Sequence, residues 1–335
     1  MRLAPAFLGA VILAGLGTSG ATAAADGRVV VRFADPAITE SSGLVVVGGA
    51  LVTVNDSGGE PVLFSVDAVT GETVATTRFA VAQTDVEALA PSADDPDRIW
   101  VGDLGNNDGS RSTVTVTEVT VDGSSDLGSA TSYDLRYPGG EKPDAEALLC
   151  DPTTGRLYVV TKAILGGTVY AAPVRLHPDR PNALRAVGTV GSVITDGAFW
   201  PDGRHVVLRN YGEASVYTFP GLDLVGTMGL PEQEQGEGLA IDADGWLLLT
   251  SEGEHAPVLR VRPSAELRRQ LAGTPAPSDG SSPSTPSPSA PSVEDDPPPA
   301  GDDSGLTTVM WILVGGVVAA AGLLVVVFRR WYPAE

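Results

Sequence analysis

The sequence predicts an all-β chain whose body is a five-bladed β-propeller, and three observations carry that expectation. Forty glycines and 26 prolines among 335 residues supply turns at short intervals, and the segments between them are rich in Val and Thr, as strands are. An acid leading a short apolar strand recurs at Glu40-Ser41-Ser42-Gly43-Leu44, Glu87-Ala88-Leu89-Ala90, Asp144-Ala145-Glu146-Ala147-Leu148-Leu149, Asp196-Gly197-Ala198-Phe199 and Glu237-Gly238-Leu239-Ala240. Those acids lie about 40 to 60 residues apart, the period of propeller blades rather than of helical repeats. Last, one strand is spare at the start of the body and one is missing at its end. Ring closure by the N-terminal strand accounts for both and hides both sheet edges.

Taken in order, Val29 to Phe33 is the spare strand. The first unit runs Gly43 to Val47, turns at Gly48-Gly49 into Leu51 to Val54, and continues through Pro61 to Val66 and Glu72 to Ala80. Short runs bounded by such turn residues follow hairpin grammar. The second unit reads Asp85-Val86-Glu87, then Ile99 to Asp103, Thr113 to Val119 and Ser132 to Tyr137, with Val114, Val116 and Glu118 alternating against threonines as in a half-buried strand. The third starts at Glu146 and continues through Leu157 to Thr161, Thr168 to Ala172 and Leu184 to Val190; the fourth has Phe199-Trp200, His205 to Leu208, Ser215 to Phe219 and Asp223 to Met228. The fifth has Leu239 to Ile241, Trp246 to Thr250 and Val258 to Val261, and no fourth strand. If the long second unit hides a further blade, the ring has six.

Outside the body at residues 27–263, the sequence predicts four further segments. Residues 1–23 read as a secretory signal: Arg2, an apolar run from Phe7 to Leu16, then Ala21-Thr22-Ala23 as a small-residue cleavage site. Residues 273–305, built of Pro, Ser, Thr, Gly and Asp, bury too little to offset chain entropy and read as a disordered stalk. Residues 307–328 form a transmembrane helix, since Val309 to Phe328 is an unbroken apolar run of about 20 residues, enough to span a bilayer core. Arg329-Arg330 open a short tail, 329–335, and place it in the cytoplasm by the positive-inside rule. The expected address is therefore the cell membrane, with a single pass and an extracytoplasmic propeller. A net charge of −21 argues against nucleic acid as a partner and favours cations.

In a blade the innermost strand starts, and the next strand ends, at the same rim of the channel. Each unit therefore brings two polar residues to that rim: Glu40 with Asp56, Glu87 with Asp103, Glu146 with Lys162, Asp196 with Arg209, and Glu237 with Glu252. Packed like charges raise one another's pKa or recruit a cation. The candidate metal ligands are Glu40, Asp56, Glu87, Asp103, Glu237 and Glu252, and Ca²⁺ suits them because it takes several oxygen ligands in flexible geometry. The same acids can instead accept backbone N–H groups of the next blade around a water-filled funnel. Lys162 and Arg209 either neutralise Glu146 and Asp196 or, with Arg111, bind an anionic group. Glu87 or Glu237 is the candidate catalytic base.

Other templates find no support in the sequence. Cys150, the one cysteine, lies in an apolar run and reads as a small core residue. His177 falls in a turn, His205 in a strand and His255 in a loop after Glu252, with no Gly-x-Ser-x-Gly elbow, zinc pattern, Walker loop or dinucleotide fingerprint.

Glu87-Ala88-Leu89, Gly102-Asp103-Leu104-Gly105-Asn106-Asn107, Asp144 to Leu149, Pro201-Asp202-Gly203 with Val207-Leu208-Arg209, and Gln235-Gly236-Glu237-Gly238-Leu239 together resemble an uncharacterised actinobacterial family of secreted propellers. That family is similar in turn to the phytase-like, or "esterase-like activity of phytase", propellers. The resemblance spans about residues 36 to 262 and implies a propeller with acids around its mouth; the phytase comparison implies calcium and phosphoester hydrolysis. Asn106 stands where the family pattern has an acid. Two functions are expected. One is a membrane-anchored module presenting its acidic mouth to an extracellular ligand or protein. The other is a Ca²⁺-dependent phosphoesterase or esterase, in which Lys162 and Arg209 hold the anion and Glu87 or Glu237 acts as base.

Overall fold

The computed structural model describes residues 25–56, 61–79, 81, 83–121 and 129–273. The segments expected as signal, transmembrane run and tail, and all of the expected stalk but Gly273, lie outside them. Among the described residues no helix is long and apolar enough to cross a membrane.

Five sheets, each with an antiparallel four-stranded core, account for the body. The first blade is β2 (Ser41–Val47), β3 (Ala50–Asn55), β4 (Val62–Val66) and β5 (Thr73–Arg78). The second is β6 (Val86–Pro91), β7 (Arg98–Asp103), β8 (Val114–Thr120) and β9 (Ala130–Arg136). The third is β10 (Ala145–Cys150), β11 (Leu157–Thr161), β12 (Thr168–Ala171) and β14 (Arg185–Thr189); before β14, the two-residue β13 (Asn182–Ala183) crosses over to pair in parallel with β9. The fourth is β15 (Asp196–Phe199), β16 (His205–Arg209), β17 (Glu213–Thr218) and β18 (Leu224–Gly229). The fifth is β19 (Gly236–Ile241), β20 (Leu247–Ser251) and β21 (Pro257–Val261), completed by β1 (Gly27–Arg32), which pairs antiparallel with β21 from Gly27↔Val261 to Arg32↔Pro257. The long second unit holds one blade, so the ring has five.

Packing shows that the ring closes. Each of five apolar clusters is shared by two neighbouring blades, in cyclic order. Val52 and Leu63 meet Ile99 and Val101 between blades one and two, and Trp100 and Val116 meet Leu148 and Val159 between two and three. Val160 and Val169 meet Val206 and Leu208 between three and four, and Val207 and Val216 meet Leu247 and Leu249 between four and five. The circle is completed where Val31, Leu248 and Val258 of the fifth blade meet Leu44, Leu51 and Phe64 of the first. Alternation along each strand produces this, because successive side chains point to opposite faces and both faces are covered. Each such buried Val or Leu contributes roughly 2 kcal/mol.

One element lies beyond the expected strands. The chain after β21 forms α1 (Ala265–Gly273), started by Ser264, whose Oγ accepts the Leu267 N–H at 3.1 Å. Leu267 and Leu271, one turn apart, are buried in the cluster between blades four and five.

Removing residues 25–33 strips β1 from β21 and takes Val31 and Phe33 out of the closing cluster. The melting temperature of the shortened chain is expected to fall by about 10 °C or more, given losses of roughly 2 kcal/mol per apolar side chain and the exposed edge. An unchanged melting temperature would contradict ring closure by this strand.

Candidate acidic site

The inner strands β2, β6, β10, β15 and β19 all begin at one rim, and their second strands end there: Ser41 faces Asn55, Val86 faces Asp103, Ala145 faces Thr161, Asp196 faces Arg209 and Gly236 faces Ser251. Four of the five inner strands break register at this point, between Ser41 and Gly43, Val86 and Ala88, Ala145 and Ala147, and Gly236 and Leu239. A β-bulge leaves an extra residue unpaired and re-aims its side chain. The residues placed there are Ser42, Glu87, Glu146 and Glu237; β15 runs through without a bulge. The three glutamates are 5%, 2% and 4% exposed, so carboxyl groups are drawn together out of water.

Glu87 is the centre of the arrangement. Its carboxyl lies within 4.8 Å of those of Asp56 and Asp85 in one group, and of those of Asp144 and Glu146 in a second. Burial, then the Glu146, Asp56, Asp85 and Asp144 charges, push the Glu87 carboxyl up to about 10. Burial and Asp56 and Asp144 raise Asp85 to about 6, with Arg111 opposing. Glu252, across the mouth, rises to about 7 through burial and the Glu237, Asp56 and Glu40 charges. Among the described residues no ion pair reaches Glu87. Gly105 lets the loop pass over the site: a Cβ there would collide with Asp85 Oδ2 and Glu87 Oε1. The ligand atoms are all carboxylate oxygens and acids outnumber the cations beside them, so the group could hold a hard cation.

The cations near the mouth are each engaged. Lys162 Nζ donates to Glu146 Oε1 at 2.8 Å and sits 5.5 Å from the Tyr211 ring centre. Burial alone would lower the Lys162 ammonium, but the Glu146 carboxylate outweighs it and the net shift is upward. Burial raises Glu146 to about 8, with Lys162 pulling it back. Arg111 pairs with Asp103 at 2.7 Å and also donates to the Gly105 carbonyl oxygen. Arg209, wholly buried, donates to Gly238 O at 3.1 Å, Thr250 O at 3.4 Å and Gln233 Oε1 at 3.1 Å, clamping blade four to blade five. Tyr211 OH donates to Glu237 Oε1 at 3.4 Å, whereas Glu237 Oε2 is buried with no hydrogen-bond partner.

The sequence-predicted residues thus divide. Asp56, Glu87, Glu146, Lys162, Glu237 and Glu252 gather at the mouth. Glu40 is exposed and meets Glu252 through a backbone bridge. Its equivalents in the next blades are Asp85 and Asp144, not Glu87 and Glu146, because Asp56 N donates to Glu40 O just as Gly105 N does to Asp85 O and Lys162 N to Asp144 O. Asp103 accepts the Thr84 and Asp85 N–H groups, both at 3.0 Å, as Asn55 accepts those of Thr39 and Glu40. With its Arg111 pair, Asp103 is a strand-end cap outside both carboxylate groups. Asp196 is wholly buried between blades and accepts the Gly197 N–H at 2.7 Å and the Leu239 N–H at 2.6 Å; burial raises its pKa against those bonds. Asn106 accepts the Arg111 N–H and donates to Lys142 O, and its own N–H reaches Asp144, tying the loop to blade three. His255 is exposed and hydrogen-bonds to Phe33 O. Asp85, Asp144 and Tyr211 belong to the site without having been singled out; the signal for the first two was the repeated acid-x-Glu of Asp85-Val86-Glu87 and Asp144-Ala145-Glu146.

No protein-family model and no curated protein matches the sequence. Among solved structures the chain is similar to a glucose dehydrogenase at 11% identity and TM-score 0.45, over 71% of this chain and 100% of that one. A second glucose dehydrogenase gives 12%, 0.44, 71% and 100%. A streptogramin B lyase gives 11%, 0.39, 66% of this chain and 64% of that one. Likeness at this level transfers neither residues nor activity.

Two outcomes follow from this geometry. Arg209→Ala leaves Gly238 O and Gln233 without their donor and Asp196 without its nearest cation, so it should cost about 3 kcal/mol or more in urea denaturation; a loss under about 0.5 kcal/mol would show that Arg209 is not the clamp. Asp85 at about 6 and Glu252 at about 7 lie above their ordinary 3.8 and 4.5, so the folded state holds protons that the unfolded state has released. Their stabilisation is complete below the unfolded values and is lost as pH rises through the folded ones. The melting temperature without divalent ions should therefore fall between pH 5 and 8; a rise over that interval would contradict the site.

Proposed function

We propose that this chain is a ligand- or protein-binding propeller, held at the cell membrane by residues 307–328 with the ring outside the cell, and that its acidic mouth takes a divalent cation, calcium by preference. The observation that carries this reading is Glu87, whose carboxyl is shared by two groups of three carboxylates and is itself reached by no ion pair among the described residues. Asp56, Asp85 and Glu87, or Glu87, Asp144 and Glu146, would hold the ion. An all-carboxylate oxygen set suits Ca²⁺ better than softer metals. The buried, unpartnered Glu237 Oε2 on the same mouth points to a donor supplied from outside the chain. A bound cation would leave the acidic rim structured for an extracellular partner. The kinship with secreted actinobacterial and phytase-like propellers is part of the proposal and rests on the motifs alone.

The phosphoesterase reading is the weaker one. It expects side-chain cations to hold the anion beside the metal. Lys162 is held by Glu146, Arg111 by Asp103, and Arg209 by backbone carbonyls of the next blade.

Millimolar Ca²⁺ at pH 7.5 should raise the melting temperature of the full chain by about 4 °C or more, the shift expected when ligand exceeds its dissociation constant about tenfold. Glu87→Gln should remove that shift while leaving the fold, since Gln fills the same space without the charge. Absence of a shift, or an equal shift in the variant, would overturn the cation site. Metal-dependent turnover of a generic phosphoester, lost in Glu87→Gln, would replace the binding reading with the hydrolytic one.

A further inference from the structure

The opposite end of the inner strands has contrary chemistry. A cavity of about 220 Å³ is walled there by the C-terminal halves of the inner strands of all five blades. One equivalent position per blade, Leu44, Leu89, Leu148, Ala198 and Leu239, contributes to the wall, with Phe199 beside it, while half-buried Trp200 and Ile241 belong to its margin. In a chain of net charge −21, no Asp, Glu, Lys, Arg or His lines this space.

Two polar side chains of the wall, Ser92 and Cys150, are already occupied. Ser92 Oγ donates to Glu118 Oε1 at 3.3 Å, and the Ala93 N–H bonds to the sulfur of Cys150. Burial pushes the Cys150 thiol up to about 11, so it stays neutral. Apart from the Trp200 indole N–H at the margin, the lining side chains therefore offer a ligand neither a charge nor an unengaged donor.

An ionic ligand would lose its hydration here with no counter-charge to replace it, at a cost of several kcal/mol. An apolar one gains by leaving water. Cavities of about 150 Å³ lined by Leu, Ile and Phe stay dry and take benzene. A space of about 220 Å³ suits a molecule larger by one fused ring, and Phe199 and Trp200 offer aromatic faces and edges to it. We propose that this chamber binds a small, neutral, apolar molecule of the bulk of a fused two-ring aromatic, at the end of the propeller remote from the acids. It is a second site, independent of any cation at the first.

The test uses the full chain in lipid nanodiscs with naphthalene as probe, read by melting temperature. Wild type should rise by about 4 °C at ten times the dissociation constant. Ala240→Leu puts three more carbons into the chamber and should abolish the rise. Val46→Asp sets a charge at the margin on a side chain that is already 42% exposed, and should reduce the rise by half or more. Uptake of naphthalene by the lipid is common to all three proteins and cancels in the comparison. No rise in wild type would overturn the proposal, as would the same rise in Val46→Asp, whether or not Ala240→Leu folds.

Discussion

Carboxylates held together away from water are the constraint on which the site depends. Glu87, Glu146 and Glu237 are almost wholly buried, and among the described residues only Glu146 of the three forms an ion pair, with Lys162. Such groups stay charged only if a cation joins them, and otherwise keep their protons. The bulges make this unavoidable. In a regular strand the residue at that position would pair in the ladder and turn into an inter-blade core, whereas the extra residue leaves the ladder and faces the other blades' acids.

The strain of crowding like charges is borne by a frame that is tied across its seams. Arg209 reaches Gly238 and Thr250, Thr195 Oγ1 donates to Gly236 O, and Asp196 accepts Leu239 N, all between blades four and five. Ser42 Oγ donates to Glu87 O between blades one and two, and Asn106 N to Asp144 Oδ1 between two and three. Ser41 Oγ donates to Thr250 Oγ1 across the closing seam. These are buried, directional bonds near the acids. They fix the spacing of blades that apolar packing alone would leave free to slide. Part of the polar rim is therefore scaffold, and only the remainder is free for chemistry.

Much of the fold was legible because glycine and proline punctuate the strands and because the spare first strand fits the gap in the last blade. The helix Ala265–Gly273 was not, since two leucines one turn apart after Ser264 give too weak a period in so short a run. The site was legible as a concentration of acids but not in its register. Glu40 and Asp196 look like partners of Glu87 in the sequence, yet Glu40 lies two positions before the bulge of its blade and Asp196 heads an inner strand that has no bulge. In a strand a shift of one residue moves a side chain to the other face. The bulge itself leaves no mark in composition. Arg209 likewise reads as a rim cation, because its carbonyl partners are 29 and 41 residues further along the chain.

The two ends of the ring thus differ in kind: a mouth crowded with carboxyl groups, and a chamber with no charge in its walls. The claim that crowding keeps Glu87 protonated until a cation arrives is open to direct spectroscopic test. Infrared difference spectra of the full chain at pH 7.5, taken before and after adding Ca²⁺, report protonated carboxyl groups through their carbonyl stretch. The account predicts a protonated-carboxyl band in the metal-free protein that loses intensity on adding Ca²⁺, and a loss that is absent in Glu87→Gln. A metal-free spectrum without that band, or a band indifferent to both Ca²⁺ and the substitution, would contradict it.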